Sequence, residues 1–148
     1  MPASVTGLEI EVIAHATEDP DKVLEAARAV LPPEARDHVR FKVKQFKGHH
    51  GNPIRLFKAR IRNRPLADAV FRHVMAGLPE EDKVELLWGL KRRLSGGSLY
   101  LRLDKQRAFL GQLRLCTADP IRLRFTFSSS RPEDIREACK GAGLRVGP

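Results

Sequence analysis

Residues 38–64 decide the fold, and they read HVRFKVKQFKGHHGNPIRLFKARIRNR. The stretch carries nine lysines and arginines and no aspartate or glutamate. In its first half, Val39, Phe41 and Val43 alternate with cationic residues, the two-residue period of a β-strand with one buried and one solvated face. The solvated face is entirely cationic, so the stretch needs an anionic partner.

A glycine-rich break at residues 48–53 separates this strand from a second extended run at residues 54–62. The alternation of the second run changes phase near Phe57, and one extra residue in a β-bulge would restore it. We therefore expect a basic β-hairpin over residues 38–62 with a bulge near Phe57.

Charge is divided unevenly along the chain, which has 148 residues and a net charge of +9. Residues 1–37 hold three cations against eight acids, whereas residues 38–148 hold 24 cations against ten acids. A protein with one strongly positive side concentrates polyanions near it, and nucleic acid is the commonest such partner. The length suits a single domain over residues 1–148.

The remaining composition indicates a reduced, non-membrane setting. Cys116 and Cys139 lack the spacing of a metal or redox motif, so we expect two buried free thiols. The sequence has no targeting segment, and no apolar run approaches the roughly 20 residues that span a bilayer. These features predict a cytoplasmic protein without a membrane partner.

Periodicity and breakers predict an α+β fold of two layers, with an antiparallel or mixed sheet and helices packed on one face. Strands are expected at 8–15, 99–104, 111–115 and 121–128, and helices at 20–31, 65–77, 79–95 and 132–142. Asp19 is the expected N-cap of the first helix, and Ser130 with Glu133 has the spacing of a capping box. Val84, Leu87, Trp88 and Leu94 are expected to face the core.

The uncovered face of the predicted sheet is expected to be uniformly basic. The acidic side of the first strand, with Glu9 and Glu11, is expected to lie away from the ligand. Outward cations from separate strands should converge on this face, namely Arg40, Lys42, Lys44, Lys58, Arg60, Arg62, Arg102, Arg114, Arg122 and Arg124.

Catalytic and metal motifs are missing from the sequence. The five histidines have no convincing ligand spacing, the serines at 128–130 are not in a nucleophile motif, and acids are scarce on the basic strands. Residues 48–51 have the GxxG form of a KH loop, but they lie between strands and not between helices. The glycines still allow the loop to approach a phosphate. We expect no metal, no cofactor and no catalysis.

Three segments carry a resemblance to a known family. They are residues 14–19 with Lys22-Val23, residues 48–54, and residues 99–106 followed by Gly111 and Asp119-Pro120-Ile121. With them the chain resembles an archaeal family of small predicted RNA-binding proteins, also described as predicted exosome subunits. The resemblance implies a ribosomal-protein-L-five-like fold and association with an RNA-processing complex. It also implies His49, His50, Lys105 and Gln106 as candidate contacts.

The sequence thus predicts a non-catalytic RNA-binding protein. Tyr100 is the only aromatic residue on a predicted polar strand face, so recognition of phosphate and shape in structured or double-helical RNA is favoured over base stacking. Two alternatives stay open: a protein-interaction subunit that docks an acidic partner, and an unrecognised RNA-modifying or RNA-cleaving enzyme. The candidate RNA contacts are Arg40, Lys42, Lys44, Lys47, His49, His50, Arg55, Lys58, Arg60, Arg62, Arg102, Lys105, Gln106, Arg122 and Arg124.

Overall fold

Alternating apolar residues build one six-stranded sheet in the order β2-β3-β1-β6-β5-β4, in which every neighbouring pair is antiparallel. The computed structural model describes residues 3–48 and 51–145. The strands are β1 (Val5–Ala14), β2 (Lys42–Lys47), β3 (Pro53–Ile61), β4 (Leu94–Ser95), β5 (Ser98–Leu103) and β6 (Ile121–Phe127). The helices are α1 (Pro20–Ala29), α2 (Arg64–Gly77), α3 (Glu80–Trp88), α4 (Lys105–Phe109) and α5 (Pro132–Gly141). Two 3₁₀ turns span Pro33–His38 and Leu90–Arg93.

The hydrophobic core lies between one face of this sheet and the helices. Leu8, Ile10 and Val12 of the central strand β1 are almost completely buried. Phe71 of α2 meets Phe125 and Phe127 of β6 edge to face, with ring centroids 5.2 and 5.3 Å apart. The two-layer α+β prediction is confirmed, and the sheet is antiparallel throughout.

Side-chain caps define the starts of three helices, α1, α2 and α4. Asp19 Oδ1 accepts from the Asp21 N–H at 2.9 Å and begins α1, as predicted. Asn63 Oδ1 accepts from the Leu66 N–H at 3.0 Å and begins α2. The expected capping box of α5 is wrong, because its N-cap residue Arg131 makes no side-chain cap and Ser129 Oγ instead accepts from the Arg131 N–H.

The buried stripe of α3 differs from the prediction. Trp88, expected in the core, is 84% exposed, while Leu86 and Leu90 are completely buried. Asp82 is buried one turn before Leu86, because its carboxylate accepts a hydrogen bond from the Leu115 N–H at 2.9 Å. The stripe at positions 82, 86 and 90 leaves Trp88 on the opposite side of the helix.

The segment after β5 also differs from the prediction. Residues 111–115 form no strand; the chain instead turns through α4, whose N-cap Asp104 accepts from the Arg107 N–H at 2.9 Å. Gly111 follows α4 with a φ of 81°, a conformation that favours glycine. A single bridge joins Leu115 to Leu103.

A β2–β3 hairpin forms as predicted, but its first strand begins at Lys42 and not at residue 38, and the expected bulge is absent. The pairing runs without interruption from Lys42 opposite Lys58 to Lys47 opposite Pro53. Phe57 faces the helices, and β2 is exposed on both faces. The alternation of apolar residues in β2 predicted one buried face. No described helix packs on this edge strand, so its apolar residues stay exposed.

Both cysteines are free thiols. Cys139 is buried as expected, and its burial raises the pKa of the thiol to about 12. Cys116 is only half-buried. None of the helices in the described ranges is long and apolar enough to cross a bilayer.

Candidate nucleic-acid interface

The sheet face that the helices leave uncovered is called here the open face. Residues directly opposite each other in an antiparallel pair project to the same side of a sheet, so the register assigns each side chain to a face. Lys42, Lys44, Lys58, Arg60, Arg102, Arg122 and Arg124 share the open face, as predicted, and Glu9 and Glu11 share it with them.

A basic groove of about 810 Å³ lies at the hairpin end of the open face. Its polar lining is His38, Arg40, Lys42, Lys44, Lys58, Arg60, Arg62 and Asn63, and no carboxylate from the described residues lines it. Arg40, Lys42, Lys44 and Arg62 are exposed, and none of them has an ion pair with another described residue. Among the described residues these four charges therefore have no counter-charge.

Two glutamates of β1 divide the open face, so the expectation of a uniformly basic surface is wrong. Glu9 Oε1 lies 3.1 Å from Arg60 Nε, and Glu9 Oε2 lies 3.9 Å from Arg124 Nη1. Glu11 Oε1 lies 3.2 Å from Lys58 Nζ. β1 is the central strand between β3 and β6, and its acids separate two rows of like charge that would otherwise repel.

An arginine pair, Arg102 and Arg122, lies beyond the glutamates. The two residues are directly opposite each other on β5 and β6, both are exposed, and neither forms an ion pair within residues 3–48 and 51–145. They line a cavity of about 480 Å³ together with Tyr100 and the two glutamates. Arg124 is less free, because it also donates to Ser98 Oγ at 3.1 Å and lies 5.7 Å from the Tyr100 ring centroid.

Several candidate contacts lie elsewhere. Lys47 and Arg55 project to the side of the hairpin opposite the basic groove, since they share the phase of Phe57. Gln106 is exposed on α4, which packs against α1 in the helix layer. Arg114 binds Glu81 and Asp82 of α3, at 2.7 and 3.2 Å, and so is not a free cation of the open face. His49 and His50 lie outside the described residues.

Lys105 is buried beneath the partly exposed His15, Glu18 and Asp119, and the four residues form an ion cluster, called here the Lys105 cluster. Only 8% of the Lys105 side chain is exposed, and its Nζ lies 2.9 Å from Glu18 Oε1, Asp119 Oδ2 and the Ile13 carbonyl oxygen. His15 Nε2 lies 2.9 Å from Asp119 Oδ1. Two of the three segments of the family resemblance meet in this cluster, and its lysine has no position left for an RNA phosphate.

The pKa of the Asp119 carboxyl group reflects its place in the Lys105 cluster. Partial burial acts to raise its pKa, but the hydrogen bonds from Lys105 and His15 outweigh burial and hold the pKa below its usual value. Asp119 also has a φ of 48°, so its backbone adopts an uncommon conformation for a residue other than glycine.

Metal binding was expected to lack a ligand set, yet His15, Glu18 and Asp119 place donor atoms within 4.8 Å of one another. The Lys105 ammonium already lies between the two carboxylates and supplies the compensating positive charge. The donor set therefore does not favour a further cation.

Phe46 was missed as a residue of the open face. It lies opposite Ile54 on the same side as Lys42 and Lys44, and it is 50% exposed. The two-residue period from Lys42 through Lys44 to Phe46 could have identified it. Tyr100 is thus not the only aromatic residue on this face.

Comparisons with known proteins agree with the geometry. A family model described as RNA binding matches residues 7–127. An uncharacterized protein of Methanocaldococcus jannaschii is 31% identical over 140 residues, which are 92% of this chain and 93% of the relative. A Pyrococcus abyssi relative named as an RNA-binding protein is 32% identical over 116 residues, or 77% of this chain and 75% of the relative.

A solved structure from Archaeoglobus fulgidus has a similar fold. It superposes with a TM-score of 0.77 at 26% identity and covers 94% of this chain and 99% of its own. The sequence relatives and this structure are archaeal, as the resemblance implied. The family match spans most of the chain, and the protein therefore belongs to this RNA-binding family.

Proposed function

We propose that this protein is a non-catalytic RNA-binding protein, acting as one domain over residues 1–148, that recognises the phosphate backbone and shape of structured RNA. The observation that carries the proposal is the basic groove, where Arg40, Lys42, Lys44 and Arg62 have no described ion-pair partner. Membership of the RNA-binding family supports the same partner.

The chemistry of the groove suits phosphate better than base edges. Lysine and arginine side chains that neutralise phosphates release condensed counterions, and this term is independent of sequence. Folded and double-helical RNA exposes its backbone and 2′-hydroxyls while its deep major groove is closed to side chains. The arginine pair Arg102 and Arg122 would extend the contact across the sheet.

A non-catalytic role is supported by the ion pairs that three carboxylates form. Glu9 and Glu11 are engaged with Arg60 and Lys58, and Asp119 is engaged with Lys105 and His15. None of these three carboxylates is left free to act as a general base or to bind Mg²⁺. The resemblance to predicted exosome subunits supports a place in RNA processing.

The test compares two double charge reversals. Lys42→Glu with Lys44→Glu changes the basic groove, and Lys22→Glu with Lys140→Glu makes the same charge change on exposed lysines of α1 and α5. Binding of a fluorescently labelled RNA hairpin is measured by anisotropy between 50 and 200 mM salt. If about six phosphates are neutralised, the wild-type slope of log affinity against log salt should be about −4 to −5.

The groove variant should bind on the order of 30-fold more weakly at 0.1 M salt, and its slope should be less steep by about 2. The control variant should change affinity by a much smaller factor. Equal weakening in both variants, or a wild-type slope near zero, would contradict the proposal. Tight binding of an acidic peptide with no binding of RNA would favour the protein-docking alternative.

A further inference from the structure

Trp88 lies in an unusual place for the one tryptophan of the sequence. It is the last residue of α3 and is 84% exposed, whereas Leu86 and Leu90 on either side of it are completely buried. An indole is a large apolar group that most domains bury at least partly. Its exposure here adds nothing to the core, so a ligand is the better explanation.

The chain that follows Trp88 is cationic. Residues 89–103 contain Lys91, Arg92, Arg93 and Arg102 and no acid. Lys91 and Arg92 are exposed and have no ion pair with the residues that the structure describes, while Arg93 lies 3.6 Å from Glu85. The Arg92 guanidinium lies over Gly89, since a Cβ added to Gly89 would be only 3.0 Å from Arg92 Nη2. The guanidinium therefore lies beside the residue that follows Trp88.

This surface is separate from the basic groove. Gly89 alone separates Trp88 from the 3₁₀ turn that leads into β4, and β4 is the edge of the sheet opposite β2. Five strand spacings of about 4.8 Å place these edges about 24 Å apart. One phosphate contact cannot serve both places.

The neighbours of Trp88 favour a nucleobase over an apolar protein surface. One helical turn before it lie the half-buried Val84 and the exposed Glu85, and after it come Lys91 and Arg92. A single aromatic side chain among charges does not form the contiguous apolar patch that protein docking needs. An aromatic ring beside free cations is the arrangement that stacks a base and holds its phosphates.

We propose that Trp88 stacks on a base of an unpaired RNA segment whose phosphates contact Lys91 and Arg92. This inference rests on the proposed function, because it assigns a second contact on an RNA already held by the basic groove. It implies a preferred ligand in which a folded region continues into a single strand.

The lone tryptophan reports directly on this contact. Wild-type protein is titrated with an RNA hairpin, with the same hairpin carrying a six-nucleotide single-stranded tail, and with a tail of the same length that lacks bases. Stacking should quench the indole fluorescence only with the base-containing tail. In anisotropy assays with labelled RNA, Trp88→Ala should weaken binding of the tailed hairpin about 10-fold and leave the blunt hairpin unchanged.

Trp88→Phe is the matched variant, since it keeps an aromatic face, and it should retain most of the affinity for the tail. Unchanged circular dichroism melting would show that both variants fold. Equal binding of the tailed hairpin by wild type and Trp88→Ala, without quenching, would overturn the Trp88 contact while RNA binding through the groove stands. Quenching by an acidic peptide and not by RNA would overturn it in favour of a protein partner. Failure of every RNA to bind would instead refute the proposed function.

Discussion

The basic groove and the Lys105 cluster place the same kind of side chain in opposite settings. Lys42 and Lys44 are exposed on β2 and have no ion pair with the described residues. Lys105 is buried, and three oxygen atoms surround its ammonium at 2.9 Å. From the sequence, all three lysines were candidates for binding RNA.

The difference shows that a cation's role depends on acids that are distant along the chain. Glu18 lies 87 residues before Lys105 and still reaches its ammonium. Within the described ranges no acid pairs with Lys42 or Lys44, although Glu11 and Glu9 pair with Lys58 and Arg60 of the same groove. The ammonium of Lys105 is occupied by the fold, whereas those of Lys42 and Lys44 are open to a ligand.

Lys105→Met should produce the largest effect, and it tests whether Lys105 stabilises the fold. The change leaves Glu18 and Asp119 without their shared ammonium and removes the donor to the Ile13 carbonyl. Because the side chains of Glu18 and Asp119 are 31% and 48% exposed, the loss should be below that of a fully buried pair, about 2 kcal/mol in the free energy of unfolding.

Lys42→Met is the matched control, and it should change stability by less than about 0.5 kcal/mol. Urea denaturation of both variants measures the difference. Similar stabilities would show that the Lys105 cluster adds nothing to the fold.

Glu9→Gln should free cations of the open face that wild type holds in ion pairs. The change releases Arg60 and Arg124 from the carboxylate, so RNA affinity should rise about 5-fold and the salt slope should steepen by up to about 1. Glu25→Gln on the exposed side of α1 removes the same charge without releasing a cation and should have little effect. An equal gain in both variants would indicate net charge alone, as measured by anisotropy.

Low pH should reduce the difference in the free energy of unfolding between wild type and Lys105→Met. The folded-state pKa of Asp119 is lowered, so its contribution to stability is present above the ordinary value near 4 and is lost as the pH falls through the folded-state value. The stabilities of the two proteins should therefore converge below about pH 4. The small difference between wild type and Lys42→Met should stay constant, since that change removes no ion pair with a described residue. Urea denaturation at several pH values tests this, and a gap that widens in acid would contradict it.

Local patterns predicted most of the fold. The alternation in β1 and β6 identified the central strands. Asp19 marked the start of α1, where its side chain accepts a hydrogen bond from the residue two positions later. Each of these signals is complete within a few residues. The hairpin of β2 and β3 was found for the same reason.

Predictions failed where distant segments decide the outcome. The buried position of Asp82 depends on the Leu115 N–H, so the inward stripe of α3 could not be read from its own sequence, and Trp88 was placed in the core. Glu9 was placed away from the cations because alternation assigns a face within one strand but does not say which strands are neighbours. Only the register that sets Glu9 between Arg60 and Arg124 reveals the shared face.

The position of β2 at the edge of the sheet has a consequence for self-association. One side of its backbone pairs with no described strand, and the exposed Val43 and Phe46 make it a template on which a second copy could add a strand. Lys42, Lys44 and Lys47 oppose this by mutual repulsion between two such edges. The charges that suit the strand to a polyanion therefore also keep the free protein from aggregating, and replacing them with neutral side chains would cost solubility before stability.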